Sequence, residues 1–279
     1  MRPLLAMKLL VTDIDGTLLD AQGRLPPANV EALQQWVDRG GVLALATGRN
    51  LTITRPIAQA IDRDLFLILQ DGALLMPYPS GAVLAWHNLE QSIAQSACDI
   101  LLNEGLSALA FAPLPNGQHF DVLPSGGNTL SPGLRACLRA KSGQFCRRNK
   151  AYRLLAASSK IVTIDSQGKT DAAYYRLKRH LPQARVIRTE ARGLDAWFME
   201  AGSPRASKMQ GLQTLLQYLR LSFAEVIAVG DAENDVEILQ LAGLGVAMAN
   251  ASERVKAVAN LVIKSNSEDG LARFLKDEG

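Results

Sequence analysis

Two carboxylates, Asp13 and Asp15, stand two residues apart in the stretch Val11-Thr12-Asp13-Ile14-Asp15-Gly16-Thr17. Leu9, Leu10 and Val11 before them read as a buried strand, and Gly16 with Thr17 reads as the turn that stops it. Two carboxylates at one strand end converge on one spot, where they repel each other unless a cation lies between them. A hard, oxygen-seeking ion such as Mg²⁺ is the natural occupant. Plainer readings exist, because Asp and Gly are ordinary turn residues and Asp-x-Asp-Gly also opens calcium loops. The calcium reading fails first: it needs a Glu late in a twelve-residue loop, and Gln22-Gly23-Arg24 follows instead. The rest of the chain decides between a site and a turn.

The elements around this stretch alternate. Pro26-Pro27 leads into Val30, Leu33, Trp36 and Val37 at helical spacing, which ends at Gly40-Gly41. Val42 to Ala46 is a continuous apolar run of the kind buried on both faces of a parallel sheet. It ends in Thr47-Gly48-Arg49, with Asn50 placed to cap another helix. A third such strand, Leu65 to Leu69, ends at Gln70-Asp71-Gly72. Strands alternating with helices imply βαβ units and a parallel sheet, so the fold class is α/β.

From about Pro77 the texture changes, and Pro77, Pro79 and Gly81 read as a linker-like break. Leu89, Ile93, Ala97, Ile100 and Leu101 mark an amphipathic helix, and short strands are expected on either side of a turn at Pro115-Asn116-Gly117. Gly126-Gly127 and Ser131-Pro132 open a further helix; Lys160 to Asp165, Ala184 to Thr189 and Ala196 to Glu200 read as strands, with a turn at Gly193. This middle piece, residues 82–201, reads as an α+β domain inserted into a core made of residues 1–81 and 202–279, because the first pattern then resumes. Ser203-Pro204 signals a helix start, Leu212, Leu215, Leu216 and Leu219 supply its apolar stripe, and Glu225 to Val229 is a fourth buried strand. That strand ends in Gly230-Asp231-Ala232-Glu233-Asn234-Asp235, and Leu244 to Ala249 and Leu261 to Ile263 follow as strands.

In open α/β sheets ligands gather at the carboxyl ends of strands. Asp13 and Asp15, Thr47 and Gly48, and Asp231 with Asn234 and Asp235 all fall at such ends, and Lys208 lies near the start of the helix after the insertion. One crevice would thus collect carboxylates, a hydroxyl, an amide, backbone N–H groups and an ammonium, which are the parts of a phosphoryl-transfer site. A metal ion offsets the negative charge of both phosphate and carboxylate, so an anionic nucleophile can approach an anion. Asp13 can attack phosphorus to give an aspartyl-phosphate. Asp15 can protonate the leaving group and then take a proton from the hydrolytic water. Thr47, Lys208, Asn234 and the N–H groups of Ile14 and Gly48 would hold the phosphate oxygens.

With these residues in view the chain resembles a haloacid dehalogenase (HAD) superfamily phosphatase of the Cof-type branch. Asp13-Ile14-Asp15-Gly16-Thr17 matches its first motif, Thr47-Gly48-Arg49 the second, Lys208 the third and Gly230-Asp231-Ala232-Glu233-Asn234-Asp235 the fourth. The resemblance implies a Rossmann-like core with an inserted type IIB cap, and Mg²⁺ as cofactor. It also implies that Asp13 is nucleophile and metal ligand, and that Asp15 is acid/base and binds metal through its backbone carbonyl. Asp231 would complete the metal shell, Asn234 would bind phosphate, and Asp235 would orient Lys208 or a metal-bound water. The chain departs from the family at Asp71-Gly72-Ala73, where Asn usually precedes Gly-Ala, and an added negative charge there alters the reception of an anionic substrate. Met209 after the lysine, where Gly is common, and the preceding Ser203-Pro204-Arg205 are also unusual.

Composition bounds the remaining readings. With 279 residues the chain is long enough for two domains or one large one, and with 48% of them apolar and 20% charged it can bury a sizeable core. The net charge of +3 is small and spread out, so nucleic acid is not an expected partner. No apolar run reaches the roughly 18 residues of a membrane span. Cys98, Cys137 and Cys146 lack metal-ligand spacing, which points to the reducing cytoplasm. The opening Met1-Arg2-Pro3-Leu4-Leu5 hints at a leader that Lys8 and Asp13 interrupt, and Met7 is an alternative start. His87, His119 and His180 fall in the insertion and read as surface or half-buried residues. Arg147-Arg148-Asn149-Lys150 and Lys178-Arg179 read as solvated faces, and Trp197 and Phe198 as core. The expected activity is hydrolysis of small phosphomonoesters, sugar phosphates first by the resemblance. A phosphomutase or phosphotransferase on the same scaffold is the nearest alternative, and a non-catalytic phosphometabolite-binding protein is the more distant one. Oligomeric state is left open by the sequence.

Overall fold

The computed structural model describes residues 7–111, 120–123, 130–140, 145–148, 153–154, 157–191 and 195–277. The expected turns at Pro115-Asn116-Gly117 and Gly193 lie outside the described residues, as do Gly126-Gly127, His119, Asn149, Lys150 and the opening Met1 to Leu5. Two compact units are present, Met1–Trp86 with Ser207–Gly279, and His87–Ala206.

In chain order the first unit contains β1 (Leu9–Thr12), α1 (Pro27–Asp38), β2 (Val42–Ala46), α2 (Leu51–Ile61), β3 (Leu65–Leu69), β4 (Leu74–Tyr78) and β5 (Ala85–Trp86). The second contains α3 (Gln91–Asn103), β6 (Ala108–Phe111), β7 (Phe120–Leu123), α4 (Pro132–Ala140), β8 (Phe145–Arg147), β9 (Lys160–Asp165), α5 (Gln167–His180), β10 (Arg185–Glu190) and β11 (Trp197–Gly202). The first unit then resumes with α6 (Lys208–Leu219), β12 (Val226–Gly230), α7 (Val236–Leu241), β13 (Leu244–Met248), α8 (Glu253–Val258), β14 (Leu261–Ile263) and α9 (Gly270–Asp277).

The sheet of the first unit runs in the order β14-β13-β12-β1-β2-β3-β4-β5. From β14 to β3 every pairing is parallel, and β4 and β5 add antiparallel strands at one side. Period-two alternation sends successive residues of β1 to opposite faces: Leu10 joins the layer of α1, α2 and α9, while Leu9 and Val11 join that of α6, α7 and α8. All three side chains are fully buried, which explains why the strand reads as an unbroken apolar run. The chain builds rightward from β1 to β3 and, after the insertion, leftward from β12 to β14. The order therefore reverses between β1 and β12, and a crevice for ligands is expected at their carboxyl ends.

Three expectations are corrected here. The break near Pro77 is not a boundary: β4 carries Pro77 opposite Phe66 of β3, and the sheet continues to Trp86. β5 pairs only with Leu74 and Leu75, so Pro77 lies beyond it, where a missing N–H is tolerated. The helix expected from Ser203-Pro204 starts at Lys208, because the Ser207 hydroxyl caps it by accepting from the Gln210 N–H at 3.1 Å. Leu89 lies outside α3, in a single antiparallel bridge with Ser158, although its side chain packs into the same core.

The second unit is α+β. Its sheet, in the order β10-β11-β9-β6-β7-β8, is antiparallel except for the β7–β8 pair. α3 and α5 pack on one face and α4 on the other. His180 is exposed and His87 half-buried, and Trp197 lies half-buried beneath the Arg188 guanidinium. Among the described residues no helix is long and apolar enough to cross a membrane.

Candidate active site

β1 ends in a tight turn, Ile14–Leu18, closed by the Leu19 N–H donating to the Ile14 carbonyl at 2.9 Å. Gly16 has φ +81, and a Cβ built there would stand 2.2 Å from Oδ2 of Asp231. Only glycine lets this turn close against the end of β12. Gly230 works similarly, since a Cβ on it would lie 2.5 Å from Cγ of Asp235. Both glycines therefore allow carboxylates from separate strands to share one small space.

That space holds Asp13, Asp231 and Asp235, all buried, with one carboxylate oxygen from each within 4.8 Å of the others. Lys208, at the start of α6, reaches it with Nζ 2.7 Å from Oδ1 of Asp13 and 2.7 Å from Oδ1 of Asp235. The other oxygen of Asp235 accepts from the N–H groups of Asp231 and Ala232 at 3.2 and 3.1 Å. The Thr17 hydroxyl donates to Oδ1 of Asp231 at 3.0 Å. Three carboxylates and one ammonium leave a net negative charge in a buried site. Burial pushes the Asp13 carboxyl up to about 7, opposed by the Lys208 charge and supported by the Asp235 charge. Burial alone would lower the Lys208 pKa, but the charges of Asp13, Asp235 and Asp71 more than offset it and hold the ammonium protonated. A hard divalent cation fits such an oxygen-rich, over-negative donor set, and Asp13, Asp231 and Asp235 are the side chains placed to hold it.

Asp15 points elsewhere. Its side chain is half exposed and makes a two-pronged pair with Arg49, Nε to Oδ2 at 2.7 Å and Nη2 to Oδ1 at 2.5 Å. It thus stands beside the buried cluster without joining it, and only its backbone could serve a metal there. Thr47 is buried, and its hydroxyl accepts from the Arg49 N–H at 3.1 Å. The Ile14 N–H is hydrogen-bonded to the Asp13 carboxylate and lowers its pKa. Asn234 donates from Nδ2 to Oδ1 of Asp71 at 2.9 Å. Gly48 lies against the same carboxylate, its would-be Cβ 3.0 Å from Oδ2 of Asp71.

Sequence reasoning missed several supporting residues. Arg49 was part of a motif without a role, although an Arg at a strand's carboxyl end is a signal in itself. Asn250 gave no sequence signal beyond its place after β13. Its Nδ2 donates to the Gly16 carbonyl at 2.8 Å and its Oδ1 accepts from the Asn266 N–H at 3.0 Å, which ties the Asp13 turn to the loop before α9.

Comparison with known proteins gives the family and the fold. The sequence pattern of the haloacid dehalogenase-like hydrolases matches residues 10–275. The chain is 28% identical over 93% of its length to the Arabidopsis thaliana chloroplastic endoribonuclease YBEY, of which it spans only 44%. It is 27% identical to the phosphatase YwpJ of Bacillus subtilis, over 97% of this chain and 99% of that one. A crystal structure of a haloacid dehalogenase-like hydrolase from Bacteroides thetaiotaomicron superposes with a TM-score of 0.83 at 25% identity, covering 97% of this chain and 99% of the other. The acidic crevice at the β1–β12 switch point is thus the centre of a protein that belongs to the haloacid dehalogenase-like hydrolase family, on the scaffold of its phosphatases.

Proposed function

We propose that this protein is a Mg²⁺-dependent hydrolase of small phosphomonoesters, sugar phosphates foremost, that works through an aspartyl-phosphate on Asp13. The observation that carries the reading is the buried cluster of Asp13, Asp231 and Asp235 gripped by Lys208, with Asp15 held beside it by Arg49. Lys208 pins one oxygen of Asp13, so the carboxylate is presented in a fixed orientation and its attack on phosphorus carries little reorganisation cost. The metal, when bound, screens the charge between the Asp13 carboxylate and the phosphate.

Asp15 is more exposed than Asp13 and carries the proton traffic. It gives a proton to the ester oxygen as the phosphorus–oxygen bond breaks, then takes one from the water that attacks the aspartyl-phosphate and frees Asp13. Arg49 positions Asp15 for both steps. Thr47, Gly48, Lys208, Asn234 and the Ile14 N–H are the candidates for holding the phosphate oxygens. The inserted unit, His87–Ala206, acts as the cap that selects the leaving group and excludes water. The few cysteines suit work in a reducing cytoplasm.

The test is phosphate release from a panel of phosphomonoesters, with Mg²⁺ and with chelator, using Asp13→Asn as the blank. Metal-dependent release that Asp13→Asn abolishes is expected. Full activity in that variant removes Asp13 as nucleophile, and an isomeric sugar phosphate instead of free phosphate turns the reading to a mutase.

A further inference from the structure

Asp71 is a carboxylate among groups otherwise suited to an anion. It occupies the turn after β3 with φ 54, and its N–H donates to the Thr47 carbonyl at 3.0 Å. The next residue, Gly72, is packed so closely that a Cβ on it would stand 1.9 Å from the Ser207 carbonyl, immediately before Lys208. The backbone of Asp71 is therefore clamped between the strand end that carries Thr47 and the start of α6. Its Oδ1 accepts from Asn234 at 2.9 Å, its Oδ2 lies against Gly48, and its charge contributes to keeping Lys208 protonated.

Asn234, Gly48 and Lys208 come from separate elements, and Asp71 is close to all of them. A negative charge that cannot move away opposes any anion those groups attract. At an effective dielectric of about 20, a unit charge within about 10 Å of a phosphate changes its affinity by a factor of about ten or more.

We propose that Asp71 is a specificity-determining residue of this site, a fixed carboxylate hydrogen-bonded to Asn234 and set against Gly48 that weakens binding of fully ionised phosphate and speeds its release. The proposal rests on the reading of Thr47, Gly48, Lys208 and Asn234 as the holders of phosphate. Affinity is set here by an opposing charge as well as by donors, a form of selection against the wrong or spent ligand.

The experiment measures binding of inorganic phosphate by calorimetry to the full chain with Mg²⁺ at pH 8, for wild type, Asp71→Asn and Asp71→Ala. Asn keeps an oxygen for the Asn234 amide and tolerates the left-handed backbone, so Asp71→Asn removes the charge but puts an N–H donor where Oδ2 stood, and Asp71→Ala removes the charge without adding a donor. About tenfold tighter phosphate is expected for Asp71→Asn, with a similar fall in KM for a phosphomonoester and an unchanged or lower kcat. Asp71→Ala should also bind phosphate more tightly. Unchanged or weaker binding in Asp71→Asn overturns the proposal, as does weaker binding in Asp71→Ala alone, which marks a residue that merely holds Asn234. Absence of phosphate binding in all three proteins overturns it too. The functional reading fails separately, by phosphate release that survives in Asp13→Asn.

Discussion

Replacing Lys208 with Met keeps the length of the stem and removes the ammonium that bonds both Asp13 and Asp235. The lysine side chain is 1% exposed, and its partners Asp13 and Asp235 are 7% and 0% exposed. Breaking a buried pair by removing one partner leaves an uncompensated charge and costs about 3–5 kcal/mol. Lys208 serves two carboxylates, so the upper part of that range is expected at pH 8 in chelator. Asp13 offers an escape, because burial has already raised its pKa to about 7 and loss of the lysine raises it further. At pH 6 the carboxyl takes a proton, and the destabilisation should shrink. The assay is urea unfolding of wild type, Lys208→Met, Asp13→Asn and the double variant, at pH 6 and pH 8, with Mg²⁺ and with chelator. The double variant should be less destabilised than the sum of the singles by at least about 1 kcal/mol, since the two groups are in contact. Mg²⁺ should restore part of the loss. A Lys208→Met protein within about 1 kcal/mol of wild type at pH 8, or one equally destabilised at both pH values, refutes the account of a cluster held by one ammonium.

The raised pKa of Asp13 also sets a pH dependence for the wild type in chelator. Its folded value of about 7 lies above the ordinary 3.8, so the native state binds more protons across that window and stability falls as pH rises through about 7. Thermal unfolding should show this fall against Asp13→Asn, while metal affinity rises through the same pH because binding expels the proton. Gly16→Ala forces a Cβ to 2.2 Å from Oδ2 of Asp231 at φ +81, and should cost more than about 2 kcal/mol and abolish metal binding, read by unfolding and metal titration. Arg49→Ala breaks a pair whose partners are 24% and 55% exposed, so stability should change by less than about 1 kcal/mol. Its kcat should nonetheless drop at least tenfold on alkyl phosphates, and less on an aryl phosphate whose leaving group needs no proton.

Much was legible from the sequence for local reasons. Val42 to Ala46 and Leu65 to Leu69 form strands with those same bounds because both faces of the sheet are covered, which requires continuous apolar runs. Asn50 does cap α2, accepting from the Ile53 N–H at 3.2 Å, because the capping residue and its target are neighbours in the chain. The carboxylates at strand ends were visible for the same reason: a strand's end and the residues just past it are local information.

Other features depended on pairings between distant residues. Pro77 reads as a breaker, yet it sits in β4 because β3 supplies the hydrogen bonds on one side and β5 stops short of it. Nothing local to Ser203-Pro204-Arg205-Ala206-Ser207-Lys208 says which serine caps the helix; packing of Gly72 and Gly211 against each other settles where α6 begins. The roles of the charged groups were the least legible. Sequence placed Asp13, Asp15, Asp231, Asp235 and Lys208 in one crevice, but it did not say that Arg49 holds Asp15 or that Asp71 holds Asn234. The sequence by itself determined which chemical groups arrive at the carboxyl end of the sheet, because strand ends are encoded locally. Only the tertiary structure decided which are paired, which are buried and which face water, because desolvation and pairing depend on neighbours far apart in the chain, 214 residues for Thr17 and Asp231 and 234 for Gly16 and Asn250.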